Sequence, residues 1–220
     1  MYKTIQIVDM TKKQAQSICG SLTENSKMPC KTYNLPTEAC NTGFKMAQIE
    51  GSICSDCYAN KGFNKVYENT IKPGQWARLD SINQDLWVDS IVTLIGSDQY
   101  FRWHSSGDIQ SLEHFKKIVN VAIKTPKTIH WLPTREYGII KEFISEGLTI
   151  PDNLIVRLSA MYPDKQVNLP KSLIGVKNIS VSNVHTVNPI GIECNAPKNN
   201  GSCGNCRMCW TTETISYKLH

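Results

Sequence analysis

Cysteine is the residue type that most constrains how this chain can fold. The sequence holds nine cysteines in 220 residues, and seven of them fall into two groups. An odd number leaves one thiol over in any full set of disulfides, and the N-terminus has no apolar stretch followed by a small-residue cleavage site. We therefore expect a cytoplasmic protein of a reducing compartment, where clustered cysteines bind metal more often than they form disulfides.

The composition is that of an ordinary globular protein. Hydrophobic residues make up 40% of the chain and charged residues 20%, and no apolar run is long enough to span a bilayer. The formal net charge of +5 is modest and the lysines are scattered, which predicts a solvated surface and neither a membrane nor a nucleic-acid partner. The sequence does not fix the oligomeric state.

Alternating apolar patterns predict the fold class. Strands are predicted at Tyr2–Val8, Tyr100–His104, Thr128–Leu132, Leu154–Leu158 and Val176–Val181. Helical spacing is found from Pro73 up to Gly96, at Leu112–Ile123 and at Tyr137–Ser145. Strands that alternate with helices indicate a parallel sheet, and a full eightfold barrel typically needs about 250 residues. We expect an α/β fold built as a partial or open parallel (β/α) barrel.

The two ends of the chain are predicted to be irregular and to carry the cysteines. One domain is expected, with an irregular wrap over residues 1–60, a barrel-like core over 61–190 and a cysteine cluster segment over 191–220. Most of the wrap lacks helical periodicity, and a loop of this length is uncommon in a compact domain unless something pins it. Metal ligation by its cysteines would pin it.

The C-terminal cysteines give the strongest chemical signal, with the spacing C-x8-C-x2-C-x2-C. Cysteines at x2 intervals are typical of ligands to a cubane iron–sulfur cluster. Tetrahedral zinc is the alternative, because C-x2-C pairs also bind that ion, although usually as two separated pairs. The predicted metal ligands are Cys194, Cys203, Cys206 and Cys209.

A second group of three cysteines lies near the N-terminus, at Cys40, Cys54 and Cys57. These residues are predicted to bind a separate cluster whose fourth iron stays open to a substrate or cofactor, as in open catalytic metal sites. The alternatives are that they share one site with the C-terminal cysteines or are buried apolar residues. Cys19 and Cys30 have no partner at ligand spacing and are predicted to be structural or incidental.

Small, polar and charged residues follow successive predicted strands. The carboxyl ends of parallel strands form the usual ligand-binding edge of an α/β sheet. A helix N-cap or a core histidine would explain any single residue, but the recurrence at several strand ends predicts a ligand-binding rim. Its members follow four strands and are His104, Ser105, Ser106, Gly107 and Asp108, then Pro133, Thr134, Arg135 and Glu136, then Ser159 and Ala160, and last Ser182 and Asn183.

Several segments resemble a group of short phage-encoded proteins of unassigned function. Their order, with CxxCYA first and strands ending in SGD, TRE and S, is similar to radical S-adenosylmethionine (radical SAM) proteins. The resemblance covers most of the chain from residue 25 onward. The segments are NSKMP (25–29), CSDCYA (54–59), FRWHSSGDI (101–109), HWLPTREY (130–137), VRLSA (156–160) and CGNCRMCW (203–210).

The resemblance implies roles for individual residues. The three N-terminal cysteines would hold a catalytic 4Fe–4S cluster, the C-terminal four an auxiliary one, and Tyr58 would stack near adenine. The loop 106–108 would receive the methionine amino group, and Arg135 or Arg157 would meet the carboxylate. The predicted catalytic residues are His104, Asp108 and Arg135.

Three functions are open at this point. The first is an enzyme that reductively cleaves S-adenosylmethionine (SAM) to start radical chemistry, with a small-molecule substrate and a host electron donor as partners. The second is an electron-transfer or redox-sensing protein with one cluster on the same scaffold, since the chain has C-x13-C-x2-C where radical SAM proteins have C-x3-C-x2-C, and it lacks their GGE triplet. The third is a zinc-stabilised binding module.

Overall fold

The computed structural model describes residues 8–61 and 65–219. Most of the predicted strand Tyr2–Val8 lies outside these residues. In the part of the chain that is described, no helix is both long and apolar enough to cross a membrane.

Among the described residues, eight strands form one mostly parallel sheet. The strands are β1 (Thr23–Glu24), β2 (Lys31–Tyr33), β3 (Tyr100–Trp103), β4 (Ile129–Thr134), β5 (Leu154–Ser159), β6 (Ile179–His185), β7 (Ile192–Glu193) and β8 (Ile215–Lys218). They lie side by side in the order β1-β2-β3-β4-β5-β6-β8-β7, with β1 antiparallel to β2 and the other pairs parallel. The parallel α/β sheet is confirmed, and it is open, with β1 and β7 at its edges.

The helices are α1 (Lys12–Cys19), α2 (Asn41–Ala47), α3 (Glu68–Ser81), α4 (Trp87–Ile95), α5 (Leu112–Lys124) and α6 (Tyr137–Ser145). Four of them pack in a row, α1 on α4, α4 on α5 and α5 on α6. Strands β2 to β6 are neighbours in chain order, and right-handed crossovers between such strands place the connecting helices on one face of the sheet.

Helices α1 and α2 correct the prediction that the first 60 residues are irregular. A capping box between Thr11 and Gln14 starts α1, which buries only Ala15 and Cys19, and α2 buries no residue fully. Both helices are short, eight and seven residues, so neither gives a run of apolar spacing long enough to be recognised. Strands β1 and β2 also lie in this region, and β7 and β8 lie within residues 191–220, which were predicted to be an irregular cysteine cluster segment.

The core lies between the sheet and its helices. Side chains alternate along a strand, so Phe101 and Trp103 of β3 face the helices, where the Trp103 ring stacks on Trp87 with centroids 6.1 Å apart. Cys19 is buried in the same core, where burial raises the pKa of its thiol to about 12. The structural role predicted for Cys19 fits this position.

The opposite face of the sheet carries aromatic and cationic side chains. Tyr100 of β3, Trp131 of β4 and Arg157 of β5 alternate with the core residues and point away from the helices. Trp210 packs on two of them, with ring centroids 5.2 Å from Tyr100 and 5.5 Å from Trp131. The segment 194–214, called the C-terminal segment below, therefore covers this face.

Candidate functional site

Asp108 joins the carboxyl ends of β3 and β4. Its carboxylate accepts hydrogen bonds from Thr134 Oγ1 at 2.6 Å and from the backbone N–H groups of Arg135 and Ile109 at 2.8 Å. Burial raises the pKa of Asp108 to about 6, and the three hydrogen bonds oppose that rise. The predicted rim residues of these two strands are thus neighbours, but most of the acceptor capacity of Asp108 is used within the protein.

The loop after β3 packs closely against the chain that follows β2. Gly107 has φ +78°, and a Cβ there would lie 2.5 Å from the Cβ of Leu35, so both backbone conformation and space require glycine. Ser106 Oγ donates to the Leu35 carbonyl at 3.0 Å and accepts from Gln75 Nε2 at 2.9 Å. Ser105 Oγ and N–H both donate to Asn34 Oδ1. These polar groups hold the loop in place.

His104 is buried among aromatic rings of the core side. Its ring centroid lies 5.5 Å from that of His114 and 6.1 Å from that of Trp103. Neither ring nitrogen of His104 has a hydrogen-bond partner among the described residues. Burial and the nearby Arg102 lower the pKa of His104 to about 3, so the imidazole is neutral at physiological pH. No contact between His104 and Asp108 or the N-terminal cysteines is found in the described part of the chain.

Cys40, Cys54 and Cys57, called the Cys40 group below, come together beside the strand ends. Cys40 is the residue before α2, Cys54 lies in a short 3₁₀ helix, and Cys57 directly follows that helix. A Cβ built on Gly43 of α2 would lie 3.6 Å from the Cys40 sulfur and 3.7 Å from the Cys54 sulfur. The two thiols therefore face the same space.

The strand ends hold the elements that carry these thiols. The Glu136 carboxylate accepts from the Thr42 N–H at 2.7 Å and from Thr42 Oγ1 at 2.8 Å, at the N-terminus of α2. The Ile53 N–H donates to the Met161 carbonyl, just beyond β5, at 2.9 Å. Glu136, predicted to bind a cofactor, is thus already engaged in fixing α2.

Arg135 supplies positive charge to the Cys40 group. Burial raises the pKa of Cys40 and of Cys54, Cys57 and Asp108 raise both further, and Arg135 lowers both. Arg135 Nε donates to the Ala160 carbonyl at 2.9 Å. Its two terminal nitrogens make no hydrogen bond to any described residue, which leaves them available to an anion.

Tyr58 lies between the Cys40 group and the face of the sheet that the C-terminal segment covers. Its side chain is 51% exposed, and its hydroxyl donates to the Ser105 carbonyl and accepts from Arg102 Nη2 at 3.2 Å. The Arg102 guanidinium lies over the Trp131 ring, 4.4 Å from its centroid.

Arg157 lies beneath the C-terminal segment, away from the strand-end rim where it was expected to meet a carboxylate. It is fully buried, and its terminal nitrogens donate to the carbonyls of Thr211 at 2.7 Å and Glu213 at 2.5 Å. Trp210 Nε1 donates to the Phe101 carbonyl at 3.0 Å. The cysteines of the C-terminal segment, Cys194, Cys203, Cys206 and Cys209, are called the C-terminal group below. At the end of β5, the Ser159 carbonyl accepts a hydrogen bond from the Tyr137 hydroxyl.

Cys30, predicted to be structural or incidental, lies near the C-terminal group. Besides burial, Cys203 and Cys209 raise the pKa of its thiol, while Arg102 and Arg207 lower it. Burial is the largest cause of the rise, to about 12. Its spacing gave no signal, since its neighbours in space are more than 160 residues away in the chain.

As the side chains stand, no three or more His, Cys, Asp or Glu residues within 8–61 and 65–219 form a group that could hold a metal ion. Four thiolates around zinc, each about 2.3 Å from the ion, lie about 3.8 Å from one another. In a cubane cluster each thiolate binds a different iron, so the ligand sulfurs are more widely spaced. Both cysteine groups offer sulfur donors, the ligand type that clusters use, but binding would require thiol side chains to turn toward a common centre.

The arginines show what kind of charge the two cysteine groups attract. The chain has five arginines, and none has a carboxylate at ion-pair distance in the part that the structure describes. Four of the five lower the pKa of a cysteine in one of the two groups or of Cys30. One of these four, Arg157, is fully buried and the other three are half-buried, and cations removed from water are normally paired. These four are Arg102, Arg135, Arg157 and Arg207.

Comparison with known proteins gives one match. The family model described as Gene product 88, a phage-type family, matches residues 7–212. Neither the curated proteins nor the solved structures give a significant match. The match confirms the phage part of the resemblance seen in the sequence and carries no information on iron–sulfur or radical SAM chemistry.

Proposed function

We propose that this chain, which belongs to the Gene product 88 family, is an iron–sulfur protein with its reactive centre at the Cys40 group. The observation that carries the proposal is that arginines without carboxylate partners face both sets of thiols. A thiol must lose its proton to bind metal, and a neighbouring guanidinium favours the thiolate. Sulfur ligands at both groups would give these cations the anions that they lack.

The position of the Cys40 group supports its role as the reactive centre. It lies beside the carboxyl ends of β4 and β5, the edge at which α/β proteins bind ligands. It has three cysteines, so a cubane bound there would keep one iron without a protein ligand. The terminal nitrogens of Arg135 and the half-exposed ring of Tyr58 are the protein groups available beside it.

The activity that we propose is of the radical SAM type. A cluster bound at this group would supply the electron that cleaves S-adenosylmethionine reductively. Arg135 would bind the carboxylate of that molecule through its two terminal nitrogens, a bidentate arrangement that lysine cannot reproduce. Tyr58, held by Arg102 and the Ser105 carbonyl, would offer its ring to the adenine.

Metal analysis of the full chain tests the first part of the proposal. Protein purified without oxygen should be brown, absorb broadly near 400 nm and contain iron and sulfide, about eight of each for two clusters and about four for one. Zinc without iron would contradict the proposal and favour a zinc-stabilised binding module.

Product analysis tests the second part. Reduced protein incubated with S-adenosylmethionine should release 5′-deoxyadenosine, and Arg135→Met should lower that release at least tenfold while keeping its iron. Arg207→Met, which changes an arginine near the other group, is the matched control and should keep the activity. Iron-loaded protein that releases no 5′-deoxyadenosine above background would rule out the radical SAM activity.

The hydrogen bonds of the rim favour a second candidate function. Asp108, Ser106 and Glu136, three residues expected to meet S-adenosylmethionine, already have partners within the protein. An electron-transfer or redox-sensing protein needs no such free groups. One cluster with a reversible reduction potential, unchanged when S-adenosylmethionine is added, would support this candidate over the enzyme.

A further inference from the structure

Strand β2 brings Cys30 next to the strand on which the C-terminal segment rests. Lys31 pairs with Phe101 in the parallel register of β2 and β3, so Cys30 lies beside Tyr100. The Tyr100 ring contacts Trp210, with centroids 5.2 Å apart, and the Arg207 guanidinium lies 5.2 Å from the Tyr100 centroid. Tyr100 is therefore a common neighbour of Cys30 and of Arg207 and Trp210, which lie two residues before and one residue after Cys209.

A main-chain hydrogen bond ties the same two regions together. The Cys203 N–H donates to the Lys27 carbonyl at 2.9 Å. A Cβ on Gly201 would lie 3.1 Å from Lys27 Nζ and 3.2 Å from its Cδ, so the two segments are in direct contact. Lys27 thus lies against residues 201–203, and Cys30 follows it by three residues, so this part of the chain is held close to the C-terminal group.

The charges around Cys30 point to an anionic centre. Arg102 lies between this region and Trp131, and its Nη1 and Nη2 contact only Met28 Sδ at 3.2 Å and Tyr58 Oη at 3.2 Å among the described residues. A half-buried guanidinium with such weak acceptors lacks a counter-charge. Thiolates bound to a cluster would supply it.

From this placement we propose that Cys30 is a ligand of the metal centre at the C-terminal group, together with Cys194, Cys203 and Cys209. The proposal rests on the proposed function, because it requires that group to bind an iron–sulfur cluster. Four of the five thiols suffice for a cubane, and Cys206 is the exposed one. Cys30 therefore completes the set of four, and Cys206 is in excess.

Metal content of cysteine variants of the full chain is the first test. Cys30→Ala should lose about half of the iron and sulfide of a two-cluster protein, as should Cys209→Ala, whereas Cys206→Ala should keep them. Cys19→Ala, which removes a thiol from the core, is the control for loss of a cysteine as such. Wild-type iron in Cys30→Ala, with iron lost from Cys209→Ala, would overturn the assignment of Cys30 and leave the proposed function standing. Wild-type protein without iron would instead overturn the proposed function.

Thiol labelling of the wild-type protein is the second test and does not depend on a variant that folds. Under anaerobic conditions, iodoacetamide should leave Cys30 and Cys209 unlabelled, and both should react once the cluster has been removed with an oxidant and a chelator. Mass spectrometry of the peptides distinguishes the sites. Cys30 that reacts equally fast before and after iron removal, while Cys209 is protected, would overturn the proposal.

Discussion

The Cys40 group and the C-terminal group are attached to the same sheet by different chemistry. The Glu136 carboxylate, at the end of β4, holds the Cys40 group because it accepts two hydrogen bonds at the start of α2. A buried guanidinium and an indole hold the second, as Arg157 and Trp210 donate to main-chain carbonyls. The Cys40 group lies at the carboxyl ends of the strands beside the half-exposed Tyr58, and the C-terminal group lies across one face of the sheet.

This difference shows how one sheet provides two environments for the same type of side chain. At the carboxyl ends of the strands, the two terminal nitrogens of Arg135 make no hydrogen bond to any described residue, which suits a reactive centre. The face covered by the C-terminal segment uses its cations and aromatic rings for packing, which suits a centre that stabilises the fold or carries electrons. Changes that loosen one attachment should therefore leave the other group intact.

Arg157→Met is the change expected to have the largest effect. It removes donors to part-buried carbonyls of the C-terminal segment, each worth about 1–3 kcal/mol, so we expect a loss of about 4 kcal/mol in the free energy of unfolding. Urea unfolding measures the loss, and limited proteolysis should find new cleavage within residues 194–214. The control Arg207→Met should cost under 1 kcal/mol. Equal stability of the two variants would show that Arg157 does not anchor the segment.

Glu136→Gln should affect the other group, by a smaller amount. The amide keeps the shape of the side chain but loses one acceptor and the charge at the α2 N-terminus, at a cost of about 2 kcal/mol. Iron bound by the Cys40 group should fall while that of the C-terminal group is kept. Glu142→Gln, an exposed change on α6, is the matched control. Iron lost equally from both groups would contradict the independence of the two attachments.

Acid should weaken the sheet that both groups share. His130 accepts from Trp103 Nε1 on Nδ1 and contacts Thr125 Oγ1 through Nε2, and burial lowers its pKa from 6.5 to about 3. Because the unfolded chain binds a proton that the folded chain excludes, stability is lost as the pH falls below 6.5, by about 1.4 kcal/mol per pH unit for this residue.

Urea unfolding between pH 6.5 and pH 4 measures this dependence. His130→Gln should reduce the slope by about one proton, although the variant will be less stable at pH 7. An unchanged slope would show that His130 is not a source of the acid sensitivity.

The middle of the fold is predicted well by sequence because its pattern is strong. The predicted helix Tyr137–Ser145 is observed with the same bounds, and the predicted strand Leu154–Leu158 extends by one residue. The predicted strand Val176–Val181 instead begins at Ile179 and continues to His185, through polar residues that are buried against neighbours. The helical region expected from Pro73 begins earlier, at Glu68, and divides into α3 and α4.

The candidate site is predicted in part. Local spacing identifies the cysteines of both groups and the strand ends where Asp108 and Arg135 meet. The sequence does not show which polar side chains already have hydrogen-bond partners within the fold. Glu136 and Arg157 were therefore predicted to bind ligands, although each holds another part of the fold. Spacing could not link Cys30 to the C-terminal group, because the two regions are brought together by the pairing of β2 with β3 and by the hydrogen bond from Cys203 to Lys27.

The hydrogen bond from Trp210 to Phe101 cannot form until Trp210 has been synthesised. Its two residues are 109 positions apart, which a ribosome covers in about 5 to 20 seconds at 5–20 residues per second. Throughout that interval the face with Tyr100 and Trp131 has no cover from the C-terminal segment. The nascent chain therefore exposes this surface until residues 194–214 have been synthesised, and the C-terminal thiols reach their site only after that.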